Sequence, residues 1–220
     1  LKYIEGDTRF KLQKGQNYPG IFNEGISEDF PLNSIRSLYG TSKLCSELII
    51  EEYCYNYNLE SIINRCGLIT GPWQMGKVDQ GVIVLWVLAH VFDRKLSYIG
   101  YKGSGKQVRD FLHVKDLISL IILQIENFDI LKNQTYNVGG GLEKSISLLE
   151  LTEICENVVG KKIEINKIDE ERKADLIYYV TNYSKISNIV GWKPEHDIYE
   201  TVKDIHDWIC DNRNAIESLL

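Results

Sequence analysis

The sequence predicts an α/β protein, on three observations. Helical and extended segments alternate along most of the chain, short apolar runs are closed by glycine or proline, and several helical segments carry their own cap signals. A helix is expected first from Ser42 to about Tyr57, where small and charged residues lead into Leu44, Leu48, Ile49 and Tyr53 at helical spacing. Ser61 to Ile69 is an apolar run closed by Gly71-Pro72, which suits one strand buried in a parallel sheet, so this helix and strand form half of a crossover unit. The longest apolar run, Gly81 to Phe92, lies in a helix expected from about Gln80 and falls well short of the ~20 residues that span a bilayer. A strand at Leu96 to Ile99, a loop punctuated by Gly100, Gly103 and Gly105, and an extended stretch from Val108 to Val114 follow. Next come a helix near Lys115 to Glu126 and a strand at Thr135 to Val138 that ends in Gly139-Gly140-Gly141. Ser147, with Glu150 three residues on, predicts a capping box for a helix from Leu148 to Val159 that Gly160 ends. A strand at Ile163 to Ile168, an apolar run at Ile177 to Val180, and helices near Tyr183 to Val190 and Ile198 to Asn212 complete the pattern, with Gly191 and Pro194 between the last two. Leu1 to Phe30 is polar, glycine-rich and aperiodic, and reads as a loop entered in mid-chain, which makes the chain an expected fragment of a longer protein.

A composition of 44% apolar and 25% charged residues suits a folded domain with a real core. The 31 acidic residues outnumber the 25 basic ones, so no broad electrostatic footprint for nucleic acid or an anionic membrane is expected, and any anion site must be local. The five cysteines show no metal-ligand spacing, and their odd number points to reduced thiols in the cytoplasm and to no metal site.

Tyrosine followed by lysine four residues later occurs three times. Tyr98 and Lys102 straddle Gly100 and run into the glycine loop, so helical spacing does not unite them. Tyr199 and Lys203 share a helix with Glu200, Asp204 and His206 and read as a solvated face. Tyr39-Gly-Thr-Ser-Lys43 differs, since only small residues separate the pair, it opens a helix, and a buried strand ending in Arg65-Cys66-Gly67 follows. Spacing alone leaves a proton-transfer pair and a structural tyrosine both open.

Tyr39-Gly-Thr-Ser-Lys43 resembles the catalytic signature of the extended short-chain dehydrogenase/reductase family, the NAD-dependent epimerases and dehydratases. Arg65-Cys-Gly-Leu-Ile-Thr-Gly-Pro72, Gly105-Lys-Gln-Val-Arg-Asp-Phe-Leu-His-Val114 and Tyr136-Asn-Val-Gly-Gly-Gly141 occur in the family's order and spacing, and the Gly71 to Gly81 loop is most similar to that of epimerases of CDP-sugars. The resemblance covers nearly the whole chain. It implies the C-terminal part of a Rossmann-type parallel sheet plus a smaller α/β substrate-binding domain. Residues 1–75 would be the remainder of the NAD-binding domain, and 76–220 mainly the nucleotide-sugar domain, with 107–140 returning to the Rossmann sheet. The implied activity is epimerisation of a nucleotide-diphosphate sugar, with a dehydratase, a reductase or an inactive structural fragment as alternatives. The family tends to pair subunits through the helix that carries the Tyr and Lys, which leaves a homodimer as one expectation.

In that reaction a sugar hydroxyl loses a proton as hydride leaves for NAD. A free phenol is almost wholly protonated at neutral pH. A cation one helical turn away favours its anion by ~4 kcal/mol at ~4 Å and an effective dielectric of ~20. The resemblance therefore makes Tyr39 the general acid/base and Lys43 its electrostatic partner and nicotinamide-ribose ligand, with Cys66 and Gly67 beside the cofactor. It assigns Arg109 and Arg172 to the diphosphate, Ser97 and Ile99 to the base through backbone groups, and Gln80 to the substrate. Structural ion pairing with Asp110 and Asp175 is the competing role for the arginines. His113, in an apolar setting, reads as a satisfied structural histidine. Gly139 to Gly141 read as a tight connection, because the G-x-G-x-x-G spacing of a dinucleotide fingerprint is lacking. Trp73, Trp86, Trp192 and Trp208 read as core. No candidate matches the family's catalytic Ser/Thr, since Thr8, Ser27 and Ser34 lie in polar loop sequence with no strand before them.

Overall fold

The computed structural model describes residues 1–76, 80–170 and 175–219. Its first elements replace the expected loop with two hairpins: β1 (Tyr3–Glu5) pairs antiparallel with β2 (Phe10–Leu12), and β3 (Ile21–Phe22) with β4 (Gly25–Ile26). Strands of two or three residues are too short to show a period, and these are held by distant partners. The Phe10 N–H donates to the Lys106 carbonyl (2.9 Å) and the Ile26 N–H to the Val180 carbonyl (2.7 Å). Tyr3 and Leu12 pack on Val108, Tyr178 and Val180. Thr8 and Ser27 therefore do follow short strands, contrary to expectation. Each makes a structural bond: the Thr8 hydroxyl donates to Glu150 (2.6 Å), and the Ser27 hydroxyl accepts from the Asp29 N–H (3.3 Å).

Helix α1 (Leu38–Tyr57) starts before the expected Ser42 because Ser37 caps it, accepting from the Gly40 N–H at 3.0 Å. It ends at Asn58, whose φ of 54° lets the chain reverse into a strand. The single strand expected over Ser61 to Ile69 is two. β5 (Ile62–Cys66) runs parallel to β9 (Gln134–Val138), whereas β6 (Leu68–Thr70) runs parallel to β8 (Val108–His113). At the change of partner the Gly67 N–H still donates to the Val138 carbonyl (2.8 Å). An apolar run cannot signal such a switch, because both halves are equally hydrophobic.

Helix α2 (Val82–Val91) and β7 (Leu96–Ile99) come before β8. After β8, α3 (Val114–Glu126), a short α4 (Phe128–Leu131) and β9 complete a return to β5. β10 (Ser145–Ser147) joins β8 antiparallel, and α5 (Leu148–Val159) carries the predicted capping box: the Glu150 N–H donates to the Ser147 hydroxyl (3.1 Å) and the Ser147 N–H to Glu150 (3.0 Å). β11 (Ile165–Ile168) pairs parallel with β7, and β12 (Tyr178–Tyr179) parallel with β8. α6 (Ser184–Val190), α7 (Ile198–Asp211) and α8 (Arg213–Glu217) follow.

The largest core lies where α2, buried on nearly all sides, meets α5, α7 and β7. Trp86 and Trp208 belong to it, and Trp192 to a second core with Leu112, Leu120, Tyr136 and Ile186. Trp73 does not follow the expectation: it is 75% exposed, at a φ of 71°, and only leans on the Trp208 ring at 5.6 Å. α1 buries none of its residues. α3 buries Leu120 and Gln124 but leaves Ile118, Ile121, Ile122 and Ile125 exposed.

Candidate functional site

Because α1 turns back into β5 through a short connection, its N-terminus lies at the C-terminal end of that strand. A bidentate pair fixes the alignment, Arg65 at the end of β5 donating to Glu47 in α1 at 2.7 and 3.0 Å. Tyr39 and Lys43 precede Glu47 by about two turns and one turn, on the N-terminal side of the clamp. The Lys43 Nζ stands 5.3 Å from the centre of the Tyr39 ring. Tyr39 is 66% exposed, and its hydroxyl has no hydrogen-bond partner among the described residues. The phenol and the ammonium group thus form an open pair on the first turns of α1.

The two decoys resolve as expected. Tyr98 is buried on β7 with its hydroxyl 2.7 Å from that of Thr152, and Lys203 on α7 is paired with Asp207 at 2.6 Å.

The second half of the site is built on β8. Its neighbour strands hold Arg109 in a half-buried position, where the guanidinium donates to Asp175 (2.9 Å) and to the Val108 carbonyl (2.7 Å). Burial pushes Arg109 below arginine's ordinary range, and Asp175 opposes that shift. The ion pairing weighed from sequence is therefore present, and Asp175 is the partner. Arg172, the second arginine assigned to the diphosphate, lies outside the described residues. Ser97 and Ile99 are half-buried on β7, and the Ile99 carbonyl already accepts from the Gln107 side chain at 3.1 Å. Gln80 is exposed just before α2, across from none of the other assigned residues in any contact described. The structure thus holds Tyr39 and Lys43 one turn apart at the start of α1, Cys66 and Gly67 at the end of β5, and Arg109 on the sheet that β6 enters directly after Gly67.

The glycine run is the tight connection expected. A side chain on Gly139 would collide with Thr181 and the Asp110 carboxylate, and Gly141, at a φ of 72°, donates its N–H to Asp110 at 3.0 Å. Asp110 is 1% exposed, and burial pushes its carboxyl above the ordinary range. His113 is structural but only half satisfied: Nδ1 accepts from the Lys115 N–H at the start of α3 (3.1 Å), while Nε2 is buried without a hydrogen-bond partner among the described residues. Its ring stacks on His196 at 4.4 Å, and burial, with His196 adding to it, pushes its pKa below the ordinary value. Sequence reasoning missed the Arg65–Glu47 clamp. Its only signal was an arginine ending a strand and an acid in the preceding helix.

No group of three or more His, Cys, Asp or Glu among the described residues is arranged to hold a metal, and no described helix is long and apolar enough to cross a membrane. All five cysteines are free.

Comparison with known proteins identifies the family. The family model described as GDP-mannose 4,6 dehydratase matches residues 20–205. The CDP-paratose 2-epimerase of Salmonella typhi is 28% identical over 94% of this chain, which spans 59% of that protein. A putative UDP-glucose 4-epimerase of Methanocaldococcus jannaschii is 31% identical over 86% of the chain and 58% of its own length. Among solved structures, the dTDP-glucose 4,6-dehydratase DesIV of Streptomyces venezuelae, determined with NAD bound, superposes with a TM-score of 0.75 at 26% identity, covering 92% of this chain and 60% of that one. The chain thus spans about three fifths of the length of the relatives it matches, and it belongs to the GDP-mannose 4,6 dehydratase family of NAD-dependent nucleotide-sugar epimerases and dehydratases.

Proposed function

We propose that this chain carries the proton-transfer pair and the sugar-nucleotide side of an NAD-dependent nucleotide-sugar epimerase. The observation that carries the reading is the solvent-open Tyr39–Lys43 pair on the first turns of α1, the helix that the Arg65–Glu47 clamp ties to β5. Bound NAD would supply hydride transfer. Tyr39 and Lys43, unobstructed and one turn apart, fit its nicotinamide-ribose side, and Cys66 and Gly67, at the end of β5, stand beside the cofactor. Tyr39 takes the proton from the sugar hydroxyl on oxidation and returns it on reduction, while the Lys43 charge favours the phenolate. Arg109 and Arg172 hold the diphosphate, Ser97 and Ile99 meet the base, and Gln80 meets the sugar.

The dinucleotide half is not supplied by these residues. Among the described residues β5 and β9 form a two-stranded parallel ladder, an arrangement that is marginal without further strands and covering helices. The bare faces of α1 and α3 border that ladder and suit such a cover. In this reading residues 1–75 continue the cofactor domain, 76–220 form mainly the substrate domain, and 107–140 return to the cofactor sheet, as β9 beside β5 does. The 220 residues alone are then inactive. The resemblance to a CDP-paratose 2-epimerase favours a CDP-sugar epimerised at C2, whereas the likeness to a dTDP-glucose 4,6-dehydratase favours dehydration. An acidic pair in the strand upstream of the Tyr would mark the dehydratase.

Tyr39→Phe in the complete protein tests the assignment. Turnover of the accepted nucleotide sugar should disappear while NAD binding and stability stay within about 0.5 kcal/mol of the parent, as befits an exposed position. Unchanged turnover would discard the role given to Tyr39.

A further inference from the structure

The two N-terminal hairpins enclose a cavity of about 500 Å³ whose floor is made by Ser145 and Tyr178. That volume lies within the range of small-molecule sites. Its walls combine apolar surface from Leu12, Phe22 and Tyr178 with the cations Arg9, Lys11 and Lys14, and among the described residues include no Asp or Glu. On a chain of net charge -6 this is a local reversal of sign. Arg9 is engaged by Glu150 and Ser145. Lys11 and Lys14 are exposed and have no hydrogen-bond or ion-pair partner among the described residues. Phe22 is 50% exposed at the cavity, although β3 is paired and its neighbour Gly25 is buried. Two unpartnered ammonium groups thus border an open aromatic wall.

We propose that this cavity binds a small anion with a flat apolar body, of the aryl phosphate or nucleoside monophosphate class. The anion sits between Lys11 and Lys14, and the ring packs along Phe22 and Tyr178. An ammonium–phosphate contact supplies attraction and the aromatic wall discriminates among anions. Among the described residues, none assigned to NAD or to the nucleotide sugar lines the cavity, so this site is tested independently of the reading above.

The test titrates the chain with phenyl phosphate, inorganic phosphate and benzyl alcohol, following backbone amides by nuclear magnetic resonance. Phenyl phosphate should shift the amides of residues 10–16 and 21–23 saturably, and bind about tenfold more tightly than either of the other two probes. Lys11→Ala with Lys14→Ala should weaken phenyl phosphate about tenfold or more, the effect of losing a charge-assisted hydrogen bond. Phe22→Ala should weaken phenyl phosphate and leave inorganic phosphate unchanged. All three side chains are exposed, so these variants should keep the parent's circular dichroism and melting temperature. The proposal is overturned by an absence of saturable shifts at those amides, by equal binding of phosphate and phenyl phosphate, or by unchanged affinity in the double-lysine variant.

Discussion

Replacing Glu150 by alanine should cost this fold about 3 kcal/mol. Its carboxylate closes the capping box of α5 and also accepts from Thr8 and from the Arg9 Nε at 2.7 Å, tying the β1–β2 hairpin to the helix. Losing half of a capping box costs about 0.5–1 kcal/mol. Losing a charge-assisted hydrogen bond costs ~1.5–3 kcal/mol, and with side chains 28% and 19% exposed for Arg9 and Glu150 the pair is only partly screened by water. Glu150→Gln keeps the box and removes the charge, so it should cost about half as much. Urea unfolding at neutral pH measures both, and the alanine variant should melt ~6–12 °C lower, at ~2–4 °C per kcal/mol for a chain of this size. Acid separates the terms further. Burial pushes the Glu150 carboxyl up, but Arg9, Thr8 and the Ser147 N–H outweigh it and hold the folded value below the ordinary 4.5. The stabilisation is then complete above that value and lost as pH falls through the lower folded one, so parent and Glu150→Gln should converge in acid. An alanine variant within about 0.5 kcal/mol of the parent, or a glutamine variant equal to the alanine variant at neutral pH, would refute the reasoning.

Three further outcomes follow from the same geometry. Asp175→Asn releases Arg109 from its ion pair, and calorimetry should then show tighter nucleoside-diphosphate binding by the complete protein; lowered stability with unchanged affinity would leave Arg109 a purely structural cation. Gly139→Val has no room beside Thr181 and Asp110 and should destabilise by about 3 kcal/mol or more in urea, whereas the exposed Lys14→Ala should change little. The His113 pKa lies below its ordinary 6.5 because the ring is buried, so the unfolded chain binds the proton first and stability should fall as pH drops below about 6.5. His113→Asn keeps a cap acceptor for α3 and should flatten that slope in urea unfolding at pH 5 to 7; an unchanged slope would assign it elsewhere.

Elements held by their own sequence neighbours were legible, and those held from a distance were not. The box at Ser147 and Glu150 and the stop at Gly160 involve residues within one turn, so sequence spacing reports them directly. The same Glu150 also grips Arg9, a contact spanning most of the chain that no local pattern encodes. Each N-terminal hairpin owes its position to carbonyls at Lys106 or Val180 rather than to alternation. The site divides in the same way. The spacing of Tyr39 and Lys43 was legible because one helix sets it, whereas the capture of Arg109 by Asp175 depends on β12 lying beside β8. Trp73 was misread because residue type predicts burial only on average, and its positive φ turns the indole outward.

The change of partner at Gly67 makes one short stretch of backbone a joint between two tasks. On one side of it, β5 and the Arg65–Glu47 clamp carry the phenol and the ammonium; on the other, β6 enters the sheet that carries Arg109. The distance from the Tyr39–Lys43 pair to Arg109 therefore depends on how the chain passes from one ladder to the other at this joint. Residues 66–68 thus couple two separate ladders through one short stretch of backbone, so a substitution there should disturb both pairings at once rather than either alone.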